Sequence, residues 1–161
     1  MKKLIIILLL VLTITIIPHN SKAAEQGTGL EVESPKLFIY IVDLSEETKE
    51  FGLDKQLIRS KVELALRQND IEILNEFSSS YPYLLEVEIN VIGEYSGAFS
   101  MSLNFIRSAK YSSGDINYTR MVRSYDQSGV GKAANDKNYI INTLENQIDI
   151  FINEFHKSNN F

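Results

Sequence analysis

The sequence predicts an α+β fold: a two-layer sandwich with two helices packed on one face of a four-stranded mixed sheet, in the order β-α-β-β-β-α. Three observations carry this. Leu85, Val87, Ile89 and Val91 alternate with Glu86, Glu88 and Asn90, and Phe99, Met101, Leu103 and Phe105 alternate with Ser100, Ser102 and Asn104. A period of two with one apolar side marks strands whose sheet is covered on one face only. An earlier run, KLFIYIVDL, is apolar at both parities, as an interior strand is. Two further stretches repeat their apolar residues at helical spacing and supply the cover.

Taken in order, the chain of 161 residues opens on a candidate leader. Lys2 and Lys3 precede an uninterrupted run of Leu, Ile, Val and Thr over Leu4–Ile17, Pro18 breaks it, and Ser21-Lys22-Ala23 places small residues at −3 and −1 of a cut before Ala24. Residues 1–23 therefore read as a signal peptide cleaved after Ala23, with export to the periplasm or the medium. The run is short for a membrane span, and with no cysteine in the sequence the cut offers no acceptor for a lipid. The expectation is an exported protein with no stable membrane anchor after cleavage and no disulfides, relying on its core alone.

Residues 24–34 lack periodicity and read as a flexible lead-in to a single domain over residues 35–157, with 158–161 as a tail. After the first strand, SEETKEFG leads to a helix over Leu53–Gln68, whose Leu57, Ile58, Val62, Ala65 and Leu66 share one face. Asn69-Asp70 suits the left-handed turn that ends it. IEIL restarts an extended segment and NEFSSSYP loops into the meander. Pairing Val91 with Leu103 and Ile89 with Phe105 keeps apolar opposite apolar and leaves Ser96-Gly97-Ala98 as the turn, with Gly97 free to take positive φ. Ser112–Asp115 form the second turn, QSGVGKAA reads as a loop, and Asn135 or Asp136 caps a last helix to about Lys157. Its Ile141, Leu144, Ile148, Phe151 and Phe155 form one apolar stripe.

Charge is unevenly spread. Loss of Lys2, Lys3 and Lys22 with the leader takes the net charge from −5 to −8. Residues 24–104 carry 15 acids and 6 bases, whereas residues 105–132 carry Arg107, Lys110, Arg120, Arg123 and Lys132 against Asp115 and Asp126. An acidic protein is a poor nonspecific binder of nucleic acid, so no nucleic-acid partner is expected. Any anionic partner should meet the second half of the meander.

No catalytic constellation, cofactor motif or metal site is legible. His156 is the single histidine beyond the leader and sits near the end of the last helix, where a surface histidine suits the helix dipole. Glu86 and Glu88 share a strand face that lacks the desolvation needed to split their pKa values for acid–base work. Gly129-Val130-Gly131-Lys132 invites a phosphate-loop reading, but Asp126 stands at the first glycine and Ala133 at the hydroxyl position. The arginines are the sharpest feature. With Tyr111 opposite Ile116, Arg107 faces Arg120 beside Tyr111 and Tyr118. These four residues then form a candidate anion or partner site, unless an acid on a covering element neutralises the pair. Glu86, Glu88, Asn90, Asn104 and Arg123 form a candidate partner face.

In its motifs VELALRQNDIEIL, YLLEVEINVI, SGVGKA and IDIFINEFHKSNN the chain resembles a group of small exported bacterial envelope proteins. The layout is similar to the amino-terminal domain of the TolB family and to the LPS-assembly lipoprotein LptE. The resemblance implies a noncatalytic accessory role and supplies no site residues. The expectation is thus an exported, noncatalytic cell-envelope or secreted protein that binds an envelope protein or an anionic envelope component. A small secreted carboxylate-dependent hydrolase, or an inhibitor or immunity-type protein, are the alternatives.

Overall fold

The structure is a computed structural model describing residues 28–78, 82–92, 97–113, 116–134 and 136–160. The expected signal peptide and its cleavage point lie outside the described residues. So do residues 24–27 of the lead-in, Ser96 of the first turn, Gly114 and Asp115 of the second, Asn135 as a cap, and Phe161.

The elements run β1 (Lys36–Ile41), α1 (Glu46–Glu50), α2 (Lys55–Gln68), β2 (Glu72–Leu74), β3 (Tyr83–Ile92), β4 (Ala98–Ser113), β5 (Ile116–Lys132) and α3 (Lys137–Asn159). The α+β class and the mixed sheet hold. The sheet has five strands, in the order β2-β1-β3-β4-β5, with β1 parallel to β2 and β3 and the last three antiparallel. The fifth strand is β2, the extended segment read in IEIL; three residues suffice because it pairs only with Lys36–Phe38. The short α1 also goes beyond the two helices expected. Ser45 caps it by accepting the Thr48 amide at 3.2 Å, and two glutamates favour its first turn.

The helix stripes pack as the periodicity demands. Asp54 caps α2 through the Leu57 amide, and Ile58, Val62 and Leu66 are fully buried. Asp70 takes the left-handed conformation after α2, at φ 57°. Asp136 caps α3, whose Ile141, Leu144, Ile148, Phe151 and Phe155 are all buried. Phe105 meets Phe151 and Phe155 at ring-centroid distances of 6.3 and 6.2 Å, which anchors α3 to the centre of the sheet.

Three expectations are corrected. Val91 lies opposite Phe99 and Ile89 opposite Met101, four residues from the register predicted. The shift keeps every side chain on its face and pairs β3 along its whole length, with Gly97 at φ 54° just before β4. QSGVGKAA is no loop, since β5 continues through Lys132. Gly131 lies opposite Phe99, and a Cβ there would sit 2.7 Å from the phenyl ring. Gly129 likewise leaves room for Gln147 of α3. These glycines admit neighbouring side chains and cradle no phosphate. Lastly, residues 28–34 of the lead-in are docked. Leu30 is fully buried, and Asn159 at the end of α3 donates to Leu30 O and accepts from Val32 N.

Candidate interaction surface

The last pair between β3 and β4 is Tyr83 with Arg107. Beyond it Ser108 N still donates to Pro82 O at 3.3 Å, and past that bond Ala109–Ser113 and Ile116–Arg120 pair with each other alone among the described residues, as a two-stranded ribbon that extends past the rest of the sheet. Five residues at the strand rise make a reach of about 17 Å. Every residue of Ile116–Met121 is exposed, including Ile116, Tyr118 and Met121.

The register of this ribbon differs from the prediction by two residues. Tyr111 lies opposite Tyr118, Arg107 opposite Val122, and Arg120 opposite Ala109. A two-residue shift preserves faces, so Arg107, Tyr111, Tyr118 and Arg120 do share one side of the ribbon, but the arginines are not directly opposed. The observed register exchanges a like-charge pair for a cross-strand aromatic pair, the favourable choice on both counts. The tyrosine rings stack at 5.6 Å with 17° between planes, and the Arg120 guanidinium carbon lies 5.1 Å from the Tyr118 centroid. Arg107 turns the other way. Its Nη1 donates to Glu31 O at 3.3 Å and lies 3.6 Å from Glu31 Oε2, so the neutralising acid belongs to the docked lead-in and not to a covering helix.

The candidate partner face is the side of the sheet opposite the helices. Glu86 accepts from Asn104 Nδ2 at 3.0 Å and lies 3.8 Å from Arg123 Nη2; Asn90 donates to Glu88 at 2.9 Å. Asn104 is only 1% exposed, and its Oδ1 is buried with no described partner. Beside this cluster runs a shallow groove of about 380 Å³ lined by Glu88, Asn90, Ser100, Ser102, Gly129 and Val130. The structure thus joins Glu86, Asn104 and Arg123 in one network, with Glu88 and Asn90 as a separate pair.

His156 is half-buried against Phe155, with Nδ1 buried and unpartnered. Burial, and then the Glu154 carboxylate, push the Tyr125 phenol well above its usual range. No cluster of three metal-ligating side chains occurs among the described residues. No helix among them is long and apolar enough to cross a membrane. The sequence reading placed these residues on their strand faces but missed two features. The isolation of the ribbon depends on where β3 stops, and the Arg107–Glu31 link depends on a contact distant in sequence.

Fold and surface define a two-layer α+β domain with a projecting β-ribbon. No protein-family model matches the chain, and no curated protein matches it significantly. Among solved structures the chain is similar to a minor lipoprotein from Acinetobacter baumannii, at 9% identity and a TM-score of 0.30, over 78% of this chain and 92% of that one.

Proposed function

We propose that the protein is an exported, noncatalytic accessory protein of the bacterial cell envelope or its surroundings, and that it binds an acidic protein partner through the ribbon. The observation that carries this reading is the ribbon itself. An isolated two-stranded hairpin is marginally stable in water, yet this one exposes Ile116, Met121 and the stacked Tyr111 and Tyr118 beside Lys110 and Arg120. Tyrosine and arginine together supply large, amphipathic contact area and charge-assisted bonds to carboxylates. Lys110, and Arg120 opposite Ala109, stand two to three residues past Arg107, roughly 7–10 Å or about one Debye length at physiological salt from the acidic body. The leader-like stretch over residues 2–23 supports export, and the polar sheet face offers a second surface beside the ribbon.

Cross-linking and pull-down from an envelope fraction test the reading. The parent should capture a discrete partner that Tyr118→Ser/Arg120→Gln loses while remaining folded. Equal capture by both would overturn the ribbon as the binding element. Capture of an anionic polymer in place of a protein would overturn the partner class.

A further inference from the structure

β5 ends the sheet, and its 17 residues pair with β4 on one side only. Among the described residues, no backbone hydrogen bond reaches the other edge of Ile116–Lys132. An open edge of this length is a template for another strand. We infer that the strand it receives is β5 of a second copy, antiparallel across a two-fold axis.

The argument comes from the bulge. In an unbulged strand, antiparallel self-pairing with matched faces sets one residue against itself on the axis. Here Ser124 is an extra residue between Arg123 and Tyr125, which pair with Ile106 and Phe105. It switches the parity of the faces. Thr119, Met121 and Arg123 lie on the helix-free side, and so do Asp126, Ser128 and Val130. Two copies of β5 therefore match faces when odd-numbered residues of the first half oppose even-numbered residues of the second.

One such register sets Arg123 against Asp126 of the second copy, and by symmetry this ion pair forms twice. It also opposes Met121 to Ser128 and Thr119 to Val130, the latter a β-branched pair whose Val130 is 87% exposed in the single chain. On the helix side Tyr118 and Arg120 fall opposite Gly131 and Gly129, which carry no side chains and whose open sides already hold Phe99 and Gln147. The alternative that centres on Arg123 would oppose it to itself. The docked lead-in meets the strand at the bulge, where the Ser124 hydroxyl donates to Gly29 O at 2.7 Å and Gly29 lies against the Ser124 carbonyl; the paired stretches lie to either side of that contact.

The pairing also accounts for the ribbon. Asn117–Val122 of each copy would gain Gln127–Lys132 of the other as a third strand, converting a marginal hairpin into a three-stranded sheet. The inference does not rest on the partner proposed above. Its test uses the purified protein alone.

In sedimentation the protein should show a reversible monomer–dimer equilibrium. Asp126→Arg should raise the dissociation constant at least tenfold, and Arg123→Asp/Asp126→Arg should restore most of the loss. The chain has no cysteine, so engineered pairs report register without other thiols. Met121→Cys/Ser128→Cys, both at exposed positions, should oxidise to a covalent dimer. Met121→Cys/Lys132→Cys, displaced by four residues or about 13 Å along the strand, should not. A single monomer up to hundreds of micromolar would overturn the inference, as would equal cross-linking of both pairs. Should the charge variants fail to fold, the cysteine pairs still decide it.

Discussion

The Thr48 hydroxyl of α1 accepts the backbone N–H of Val91 in β3 at 2.9 Å, in a fully buried setting. β1 ends at Ile41, opposite Val87, so the far end of β3 has no strand on that side. A threonine stands where a ladder carbonyl would be. Ser45 Oγ, 2.9 Å from the same hydroxyl, fixes its orientation while capping the helix.

Thr48→Val keeps the shape and removes the acceptor, which orphans a buried amide. The expected loss is about 1–3 kcal/mol, with Thr48→Ser retaining most of the stability. Denaturant melts of the three proteins check it. A valine variant as stable as the parent would show that the Val91 amide finds another acceptor.

Val62 and Ile148 lie at the centre of the helix layer, each with no exposed surface. Val62→Asp or Ile148→Asp puts an unpaired charge against the sheet, at a cost of several kcal/mol. Either should abolish the cooperative thermal transition or lower its midpoint by well over ten degrees.

These helix faces were legible because their spacing is local: Ile58, Val62 and Leu66 need only one another to define a stripe. The faces of β3 and of Phe99–Phe105 in β4 were legible too, since parity needs no partner, whereas the bulge at Ser124 and the strand residues after it were not. Register was not. Val91 opposite Leu103 and Val91 opposite Phe99 satisfy the same alternation, and the choice turns on the length of ladder each permits. Gly129 and Gly131 misled for a related reason. Glycine in a strand and glycine in a loop look alike until Phe99 and Gln147 are seen to occupy the space of the missing Cβ atoms. Leu30, one apolar residue in an aperiodic stretch, carries no local signal, yet it is fully buried through contacts distant in sequence. At the candidate surface the tyrosines and arginines were found as residues, whereas the Tyr111–Tyr118 stack followed only from the register.

The two glutamates of the outer face should differ. Glu86 holds the side-chain amide of the buried Asn104 at 3.0 Å, while among the described residues Glu88 bonds the half-buried Asn90. Glu86→Ala should cost about 1–2 kcal/mol and Glu88→Ala less than about half of that. Glu86→Gln keeps an acceptor and should stay within about 1 kcal/mol of the parent. Thermal melts of the three variants rank them.

Tyr125 gives a pH signature. Burial raises its phenol, with the hydrogen bond and charge of Glu154 acting in the same direction. In the unfolded chain the phenol titrates near 10. The stability tied to the neutral phenol is therefore complete below about pH 10 and declines as pH rises above it, because only the unfolded chain then gives up the proton. Stability of the parent should fall more steeply between about pH 9.5 and 11 than that of Tyr125→Phe. Parallel curves would mean that the phenol ionises alike in both states.

The arginines should act separately. Arg107 holds Glu31 through both its carbonyl and its carboxylate, so Arg107→Gln should loosen residues 28–34. Limited proteolysis there should quicken, with at most about 1 kcal/mol lost from a half-exposed pair. Arg120 rests on Tyr118, an exposed contact of the order of 0.5–1 kcal/mol, so Arg120→Gln should leave proteolysis unchanged and act on partner capture. An anion bound between the two would need them opposed, and the register sets Val122 and Ala109 in those places. Sulfate compared with chloride at equal ionic strength should therefore raise the melting temperature of the parent and of Arg107→Gln/Arg120→Gln alike, the shared rise coming from exclusion of sulfate from the surface. A sulfate effect present in the parent and missing from the double variant would mean that the guanidinium groups converge on an anion after all, across the diagonal of the ribbon.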